Sequence, residues 1–260
     1  MGRTYVVTGS ASGIGKATAE LLSSRGNTVI GVDLHNTDIN VDLTTAAGRA
    51  MLVSEAARLS DGKIDAILAI AGLAHPIPAT VGVNFFGMVA TLEGLRPLLA
   101  GSAAPRAAAI ASMASLMPTD DELVAACLAL DEPAALARAA VLAENPATTG
   151  GLIYSSTKKA LALWIRRNAA KPEWAGASIP LNAIAPGIIA TPMVADMIGT
   201  AEARTQILQM VPMPLNGIAE PIAPAHLLAW LTSEENTHLC GQVIFIDGGS
   251  DVAIRGETTW

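Results

Sequence analysis

The chain has 260 residues, of which 51% are hydrophobic, and its formal net charge at pH 7 is −7. A chain of this size can bury its apolar side chains in one core, so a single domain is expected over residues 1–260. No long run of basic residues is present to neutralise phosphates. Nucleic acid is therefore excluded as an expected partner.

The two cysteines, Cys127 and Cys240, lie far apart and outside any metal-ligand spacing. This arrangement favours two reduced thiols over a disulfide framework or a structural zinc, and no metal is expected. The amino-terminal segment lacks the pattern of a secretory signal. The most apolar stretch, residues 123–143, contains four charged or proline residues and predicts helices that do not span a membrane. A cytoplasmic location without a membrane partner is expected.

Short apolar runs alternate along the chain with longer Ala- and Leu-rich segments of helical spacing. This alternation is typical of an α/β fold of the doubly wound Rossmann type, with a mostly parallel sheet and helices on both faces. Strands are predicted at residues 4–8, 28–32, 66–70, 107–111, 179–184 and 242–246. Helices are predicted to begin near Ile14, Thr45, Val81, Ser155 and Pro221.

Residues 119–149 stand apart from this alternation and predict an inserted pair of helices. Thr119 and Glu122 have the spacing of a capping box, which marks the start of the first inserted helix. Asp131, two residues before a proline, is typical of a second helix start, and the dipeptide at 145–146 is typical of a helix end.

A glycine-rich run lies between the first predicted strand and the first predicted helix. It contains Gly9, Ser12, Gly13, Ile14 and Gly15. Glycines permit a tight turn there, and they let backbone N–H groups approach a pyrophosphate at the positive end of the helix. Such runs also mark ordinary loops, but the position between strand and helix favours a dinucleotide site.

Asp33 follows the second predicted strand, 18 residues after Gly15. An acid in this place accepts hydrogen bonds from the adenosine ribose hydroxyls and repels a 2′-phosphate. Ser12 supplies no positive charge to hold that phosphate. NAD is therefore predicted over NADP. The alternative for Asp33 is an ordinary acid at the end of a strand.

Several short motifs then follow in a fixed order: Ala71-Gly72, Asn84, Ser112, Tyr154 with Lys158, and Pro186-Gly187 with Thr191. In this order, behind the glycine-rich run, the sequence resembles the short-chain dehydrogenases/reductases over nearly its whole length. The resemblance implies hydride transfer between a nicotinamide ring and the carbonyl or alcohol carbon of a substrate.

Tyr154 and Lys158 are four residues apart, so that both lie on one face of a helix. A cation near the phenol is expected to lower the pKa of the phenol from its ordinary value near 10. The resemblance implies that Tyr154 exchanges a proton with the substrate oxygen. It also implies that Lys158 hydrogen-bonds the nicotinamide ribose.

Ser112 follows a predicted strand at the edge where open parallel sheets bind ligands. The resemblance implies that its hydroxyl orients the substrate carbonyl, with Ser115 as the alternative. Asn84 resembles an asparagine that holds a water in a proton relay to the lysine. The alternative for Asn84 is a helix amide satisfied by its neighbours.

Two weaker motifs resemble segments that surround the cofactor in this family. The backbone of Ile189 and the hydroxyl of Thr191 are expected near the nicotinamide carboxamide, in the segment that begins at Pro186-Gly187. Asp42 and Leu43 resemble the pair that contacts adenine. Both motifs are also common in ordinary loops.

The sequence departs from the family pattern at two places. Ser112 and Tyr154 are 42 positions apart because of residues 119–149, and this insertion resembles the bacterial 3α-hydroxysteroid dehydrogenase/carbonyl reductase branch. A homo-oligomer, dimer or tetramer, is expected, with extra helices that change how subunits associate. Ile70 stands where an asparagine that braces the central strand is typical.

Residues 191–216 occupy the place of the family's substrate lid and are rich in methionine, including Met193 and Met197. Such side chains suit a loosely shaped apolar pocket, although a buried helix stripe explains the same pattern. Because the segment lacks a basic cluster, a hydroxysteroid or a cyclic or aromatic alcohol or carbonyl is favoured over a phosphorylated or carrier-linked substrate. The alternatives are a non-catalytic dinucleotide sensor or scaffold and a carrier-linked oxoacyl reductase. The four histidines are interpreted as surface residues.

Overall fold

Seven parallel strands form one sheet in the computed structural model, which describes residues 2–258. They are β1 (Thr4–Thr8), β2 (Thr28–Asp33), β3 (Ile39–Asn40), β4 (Ala66–Ala69), β5 (Arg106–Ile110), β6 (Leu181–Pro186) and β7 (Val243–Ile246). Their order across the sheet is β3-β2-β1-β4-β5-β6-β7. The direction of winding reverses between β1 and β4, so a crevice opens at the carboxyl ends of these two strands.

Helices connect the strands on both faces of the sheet. They are α1 (Gly13–Ser24), α2 (Ala46–Leu59), α3 (Pro78–Val81), α4 (Met88–Leu95), α5 (Asp121–Leu128), α6 (Glu132–Ala143), α7 (Gly151–Asn168), α8 (Ala195–Ile198), α9 (Ala201–Met210), α10 (Ile222–Leu231) and α11 (Ser250–Arg255). Two π-helical segments, Gly82–Gly87 and Pro146–Gly150, precede α4 and α7. α1 packs against α10, and α5 packs against both α6 and α7.

The central strands are buried because helices cover both of their faces. Every residue of β4, β5 and β6 is buried, and these strands consist largely of alanine, isoleucine and leucine. Continuous apolar runs of this kind are what a doubly covered parallel sheet requires. The edge strand β7 is only half-buried along its length.

All six predicted strands are confirmed, with ends that differ by at most two residues. The seventh strand, β3, was not predicted because two residues are too few to show a pattern. The helix predicted from Ser155 begins earlier, at Gly151, behind the π-helical segment. The helix predicted from Val81 likewise begins at Pro78. Starts at Ile14, Thr45 and Pro221 are confirmed to within one residue.

The inserted helical pair is confirmed as α5 and α6, but the predicted capping box of Thr119 and Glu122 is wrong. The N-cap of α5 is Asp120, whose carboxylate accepts a hydrogen bond of 2.8 Å from the backbone N–H three residues later. The same carboxylate lies 2.6 Å from the guanidinium of Arg138 on α6. A charged cap that also joins the two helices is stronger than a threonine hydroxyl.

We expect Asp120→Asn to lower the free energy of unfolding at pH 7 by no more than about 1 kcal/mol, because an amide caps the helix but loses the solvent-screened ion pair. The hydrogen bond from Arg138 holds the pKa of Asp120 below its ordinary value. The stabilisation is therefore fully present above about pH 4, where aspartate titrates in the unfolded chain, and is lost as pH falls through the lower folded pKa.

Urea unfolding of both proteins at pH 7 and pH 3 measures this difference, which should shrink at the lower pH. Asp121→Asn removes an exposed carboxylate from the same helical turn and serves as the control. A similar loss of stability in both variants would contradict the assignment of Asp120 as the joint cap and ion-pair partner.

Candidate active site

The glycine-rich run forms the turn from β1 into α1 at the mouth of the crevice. Gly9 has a φ of +71°, and a Cβ on it would lie 2.9 Å from the Cα of Ala71. A Cβ on Gly15 would lie 2.0 Å from the carbonyl oxygen of Gly9. Neither position has room for a side chain. The Thr8 hydroxyl accepts hydrogen bonds of 2.9 and 3.0 Å from the N–H groups of Ile70 and Ala71.

This Thr8 contact was missed by sequence reasoning. It holds the turn to the chain segment that leaves β4, at the position where Ile70 replaces the bracing asparagine of the family. A single threonine at the end of a strand carries no pattern that would have signalled the contact.

The segment after β6 lies on the other side of the glycine turn. A Cβ on Gly13 would lie 3.1 Å from the Cγ2 of Thr191, so the threonine packs directly on the turn. Ile189 is buried beside it, and Pro186-Gly187 forms the end of β6 and the start of this segment. The structure therefore brings together predicted cofactor residues from the first and last thirds of the chain.

Asp33 ends β2 next to the same turn. Its carboxylate accepts hydrogen bonds of 3.0 Å from the N–H of Ala11 and 2.7 Å from the N–H of Leu34. These bonds fix a negative charge against the glycine-rich run. The predicted position of Asp33 at the edge of a dinucleotide site is consistent with this geometry.

The predicted adenine pair, Asp42 and Leu43, follows β3. The Asp42 carboxylate accepts hydrogen bonds of 2.9 and 2.7 Å from the backbone N–H and hydroxyl of Thr44. Leu43 is buried, and a Cβ on Gly87 would lie 3.0 Å from its Cβ. Residues 42–44, here named the adenine loop after this prediction, are thus packed against the π-helical segment that ends at Gly87.

Ser112, Tyr154 and Lys158 meet beyond the carboxyl end of β5. The Ser112 hydroxyl accepts a hydrogen bond of 3.1 Å from the Ala114 N–H, and it lies close enough to the Tyr154 phenol to lower the pKa of that phenol. The Lys158 Nζ lies 5.7 Å from the centroid of the Tyr154 ring and donates a 2.9 Å hydrogen bond to the Ile110 carbonyl. The contact with Tyr154 favours Ser112 over Ser115 as the serine of the site.

Burial shifts the pKa values of Tyr154 and Lys158 in opposite directions. It lowers the pKa of Lys158 to about 7, because a buried ammonium is poorly solvated. It raises the pKa of Tyr154, and the nearby Ser112 hydroxyl offsets part of that rise. The lower phenol pKa expected from the four-residue spacing is therefore wrong for these side chains as the fold holds them. The spacing places the Lys158 ammonium near the Tyr154 ring, but burial lowers the fraction of Lys158 that is protonated.

Asn84 is fully buried in the π-helical segment Gly82–Gly87. Its amide exchanges two hydrogen bonds of 2.8 Å with the backbone of Leu73 and donates a third, of 3.3 Å, to the Thr157 hydroxyl. That hydroxyl donates in turn to the Tyr154 carbonyl at 2.7 Å. The amide is thus satisfied by its neighbours, and Thr157, which sequence reasoning missed, joins the π-helix to α7.

An apolar cluster lies beside the serine. Its buried members are Met113, Val211 and Met213, with Met117, Ile188, Leu208 and Phe245 packed against them. The Met213 sulfur accepts a 3.3 Å hydrogen bond from the Ile188 N–H, so the lid segment folds onto the chain that follows β6. Met193 and Met197, the predicted substrate residues, are 46% and 47% exposed on the outer part of that segment.

The histidines and cysteines have surface or structural positions. All four histidines are exposed, as predicted: His35, His75, His226 and His238. Both cysteines are free, and burial raises the pKa of Cys127 to about 12. Within residues 2–258, no group of three or more His, Cys, Asp or Glu side chains is arranged to hold a metal. The helices of that same range are all too short or too polar to cross a membrane.

A cavity of about 390 Å³ opens at the opposite edge of the sheet. It is lined by residues that include Arg106, Pro180 and His238, near the amino ends of β5 and β6. The Arg106 guanidinium is directed to the carbonyls of Pro105, Ser233 and Glu234, which is a structural role. The chemistry-bearing side chains lie instead in the crevice at the carboxyl ends of the strands.

Comparison with known proteins decides the family. A family model described as enoyl-(acyl carrier protein) reductase matches residues 9–251. The 3-alpha-hydroxysteroid dehydrogenase/carbonyl reductase of Comamonas testosteroni is 33% identical over 255 residues, which cover 96% of this chain and 97% of that protein. The chain belongs to the short-chain dehydrogenase/reductase family.

Two further proteins are similar over nearly their whole length. The cis-4-hydroxycyclohexanecarboxylate dehydrogenase of Sinomonas cyclohexanicum is 29% identical over 264 residues, which cover 95% of this chain and 96% of that protein. The crystal structure of the 3-alpha-hydroxysteroid dehydrogenase from Pseudomonas sp. B-0831, complexed with NADH, superposes with a TM-score of 0.86 at 36% identity. It covers 98% of this chain and 99% of that one. The predicted family, branch resemblance and Rossmann-type fold are confirmed, and the chain is an oxidoreductase of this family.

We expect Lys158→Met to raise the free energy of unfolding at pH 7, because an apolar side chain of similar length replaces a buried ammonium. Between the folded pKa of about 7 and the ordinary value of 10.5, the unfolded chain binds the lysine proton and the folded chain does not. Stability of the native protein therefore rises with pH across this window, and the variant lacks that contribution to the slope.

Urea unfolding at pH 7, 8 and 9 measures the slopes. Lys159→Met is the matched control, because Lys159 is the next residue of α7 but is only half-buried. It should keep the native slope. Equal slopes for all three proteins would show that Lys158 titrates in the folded chain as it does in the unfolded one.

Proposed function

We propose that this protein is an NAD-dependent alcohol dehydrogenase/carbonyl reductase that transfers a hydride between nicotinamide and a secondary alcohol or ketone of an apolar substrate. The observation that carries the proposal is the meeting of Ser112, Tyr154 and Lys158 at the same sheet edge as the glycine turn. A hydroxyl, a phenol and an ammonium beside a dinucleotide cradle are the groups that proton-coupled hydride transfer to a carbonyl requires.

The residues of the crevice fit a dinucleotide. Side chains are sterically excluded at Gly9 and Gly15, which leaves backbone N–H groups at the start of α1 free to approach a pyrophosphate. Ala71 and Gly72 line the β4 side of the crevice, and Ile189 and Thr191 line the β6 side. The bound nicotinamide supplies the hydride or accepts it.

The side chains of the chain itself handle the substrate oxygen and its proton. The Ser112 hydroxyl orients the oxygen. The Tyr154 hydroxyl donates its proton to a ketone, and the Tyr154 phenolate takes one from an alcohol. The phenol is protonated at neutral pH, and burial raises its pKa further, so it holds the proton that ketone reduction requires. Lys158, with a pKa of about 7, can return that proton to Tyr154. Asn84 and Thr157 fix the position of α7 relative to the π-helical segment Gly82–Gly87.

An apolar cyclic alcohol or ketone is the proposed substrate class. The methionine-rich cluster around Met113 and Met213 lies next to Ser112, where flexible apolar side chains adapt to a bulky ring system. Met193 and Met197, on the exposed part of residues 191–216, would cover the substrate when this lid closes. By their names, the similar proteins act on a hydroxysteroid or on a hydroxylated cyclohexane ring.

Two further properties belong to this proposal. Both cysteines of the chain are free thiols, which supports a reducing, cytoplasmic compartment. The apolar edge strand β7 is half-buried, and this supports a homo-oligomer that covers it.

We expect Tyr154→Phe to lower kcat by roughly 10²- to 10⁴-fold while NADH binding is retained, because only the proton-transferring hydroxyl is lost. Nicotinamide absorbance measures turnover of steroid alcohols and aryl and cyclic secondary alcohols with NAD, and of the matching ketones with NADH. Tyr5→Phe is the control, since it removes the only other tyrosine hydroxyl, which bonds the Thr232 carbonyl in the core. NADH binding without turnover of any substrate by the native protein would favour the non-catalytic sensor instead.

We expect Asp33→Asn to reduce the preference for NAD over NADP by at least about tenfold, because a carboxylate beside the ribose repels a 2′-phosphate. The kcat/KM ratio for the two cofactors measures this preference. Asp38→Asn is the control: it removes the same charge from the same loop, but its carboxylate accepts a hydrogen bond from the Gly31 N–H instead. A native preference for NADP, or equal changes in both variants, would contradict the role given to Asp33.

A further inference from the structure

The side chain of Arg49, on α2, joins several segments of the chain. Its Nε donates a 2.7 Å hydrogen bond to the Leu43 carbonyl, and its Nη2 lies 3.3 Å from the carbonyls of Thr44 and Gly82. The guanidinium also stands 6.0 Å from the centroid of the Phe86 ring. One cation thus holds the adenine loop and the π-helical segment together.

The carboxylate partner of this guanidinium comes from the insertion. Glu132, the first residue of α6, accepts two hydrogen bonds of 2.7 and 2.6 Å from Nη1 and Nη2 of Arg49. The side chains are only 13% and 29% exposed, so water screens the pair weakly. A two-pronged carboxylate contact also fixes the orientation of the guanidinium plane.

The other ion pairs of the insertion do not reach the crevice. Arg138 pairs with Asp120 and, at 3.3 Å, with Glu122, and these contacts join α5 to α6. Glu132 differs from these carboxylates because its partner, Arg49, lies on α2 and outside the insertion. Through Arg49, it is linked to the loop that is predicted to receive the adenine.

We propose that Glu132 is a positioning residue for the adenine half of the dinucleotide site. It fixes the guanidinium of Arg49, and the guanidinium fixes the carbonyl groups of the adenine loop. The inserted helix pair then contributes to cofactor affinity without touching the cofactor. This inference rests on the proposed function, because it assumes that a dinucleotide binds in the crevice.

The test compares Glu132→Gln with the native protein for binding of ADP-ribose, which carries the adenine half of NAD but no nicotinamide. Calorimetry should show an affinity that is weaker by roughly threefold to tenfold, the usual size of coupling through a packed network. The KM for NAD should rise by a similar factor with kcat unchanged, because the reacting groups are untouched. Arg49→Lys, which keeps the charge but loses the paired hydrogen bonds to Glu132, should weaken binding in the same way.

Glu122→Gln is the matched control, since it removes the same charge from an ion pair of the same insertion. Loss of a negative charge by itself favours an anionic ligand, so weaker binding by Glu132→Gln alone separates positioning from simple electrostatics. In the native protein, ADP-ribose should also slow hydrogen exchange at the amides of α6, because coupling between two sites is reciprocal.

Equal affinity of native protein and Glu132→Gln for ADP-ribose would overturn this inference and leave the proposed function standing. Equal weakening in Glu132→Gln and Glu122→Gln would also overturn it, since it would reveal a general effect of the insertion. Failure of the native protein to bind ADP-ribose or NAD would overturn the proposed function, and this inference with it.

Discussion

The lack of space for side chains between the turn after β1 and the end of β4 is the constraint on which the rest of the site depends. Gly9 is needed because the backbone of Ala71 fills the space of its side chain, and Gly15 because the carbonyl of Gly9 does the same. The Thr8 hydroxyl holds the turn to the segment after β4 by two hydrogen bonds. Once this contact is made, the parallel register of β2 and β5 brings Asp33 to one side of the crevice and Ser112 to the other. The steric fit therefore determines where charges and hydroxyls meet.

Patterns that repeat along the chain made most of the fold predictable from sequence. Strands buried on both faces read as continuous apolar runs, and the glycine run and the Tyr154–Lys158 spacing predicted their own local geometry. The sequence did not reveal features that depend on a partner far along the chain. The start of α5 at Asp120 and the role of Thr157 follow from contacts between helices, which local propensity does not encode. The two-residue β3 lies below the length at which a pattern exists.

The charge state of the site shows the same division between local and tertiary causes. Helical periodicity places Lys158 beside Tyr154, and this distance could be read from the sequence. The surrounding core, assembled from many segments, determines the pKa of Lys158 and so the fraction of it that is charged. A lysine that is 2% exposed destabilises the fold but gains a proton equilibrium near neutral pH. A buried lysine with a strongly shifted pKa in a crevice is typical of a functional site, which agrees with the role proposed for Lys158.

The contact between Gly13 and Thr191 has a consequence for biosynthesis. It joins the first helix of the chain to a segment that follows the sixth of seven strands. Most of the polypeptide must therefore leave the ribosome before the glycine turn and the segment after β6 can pack together. Parallel strands that pair across long stretches of sequence also associate slowly. We therefore expect the apolar strand segments of the nascent chain to stay unenclosed for most of synthesis, a state in which chaperones protect a chain from aggregation.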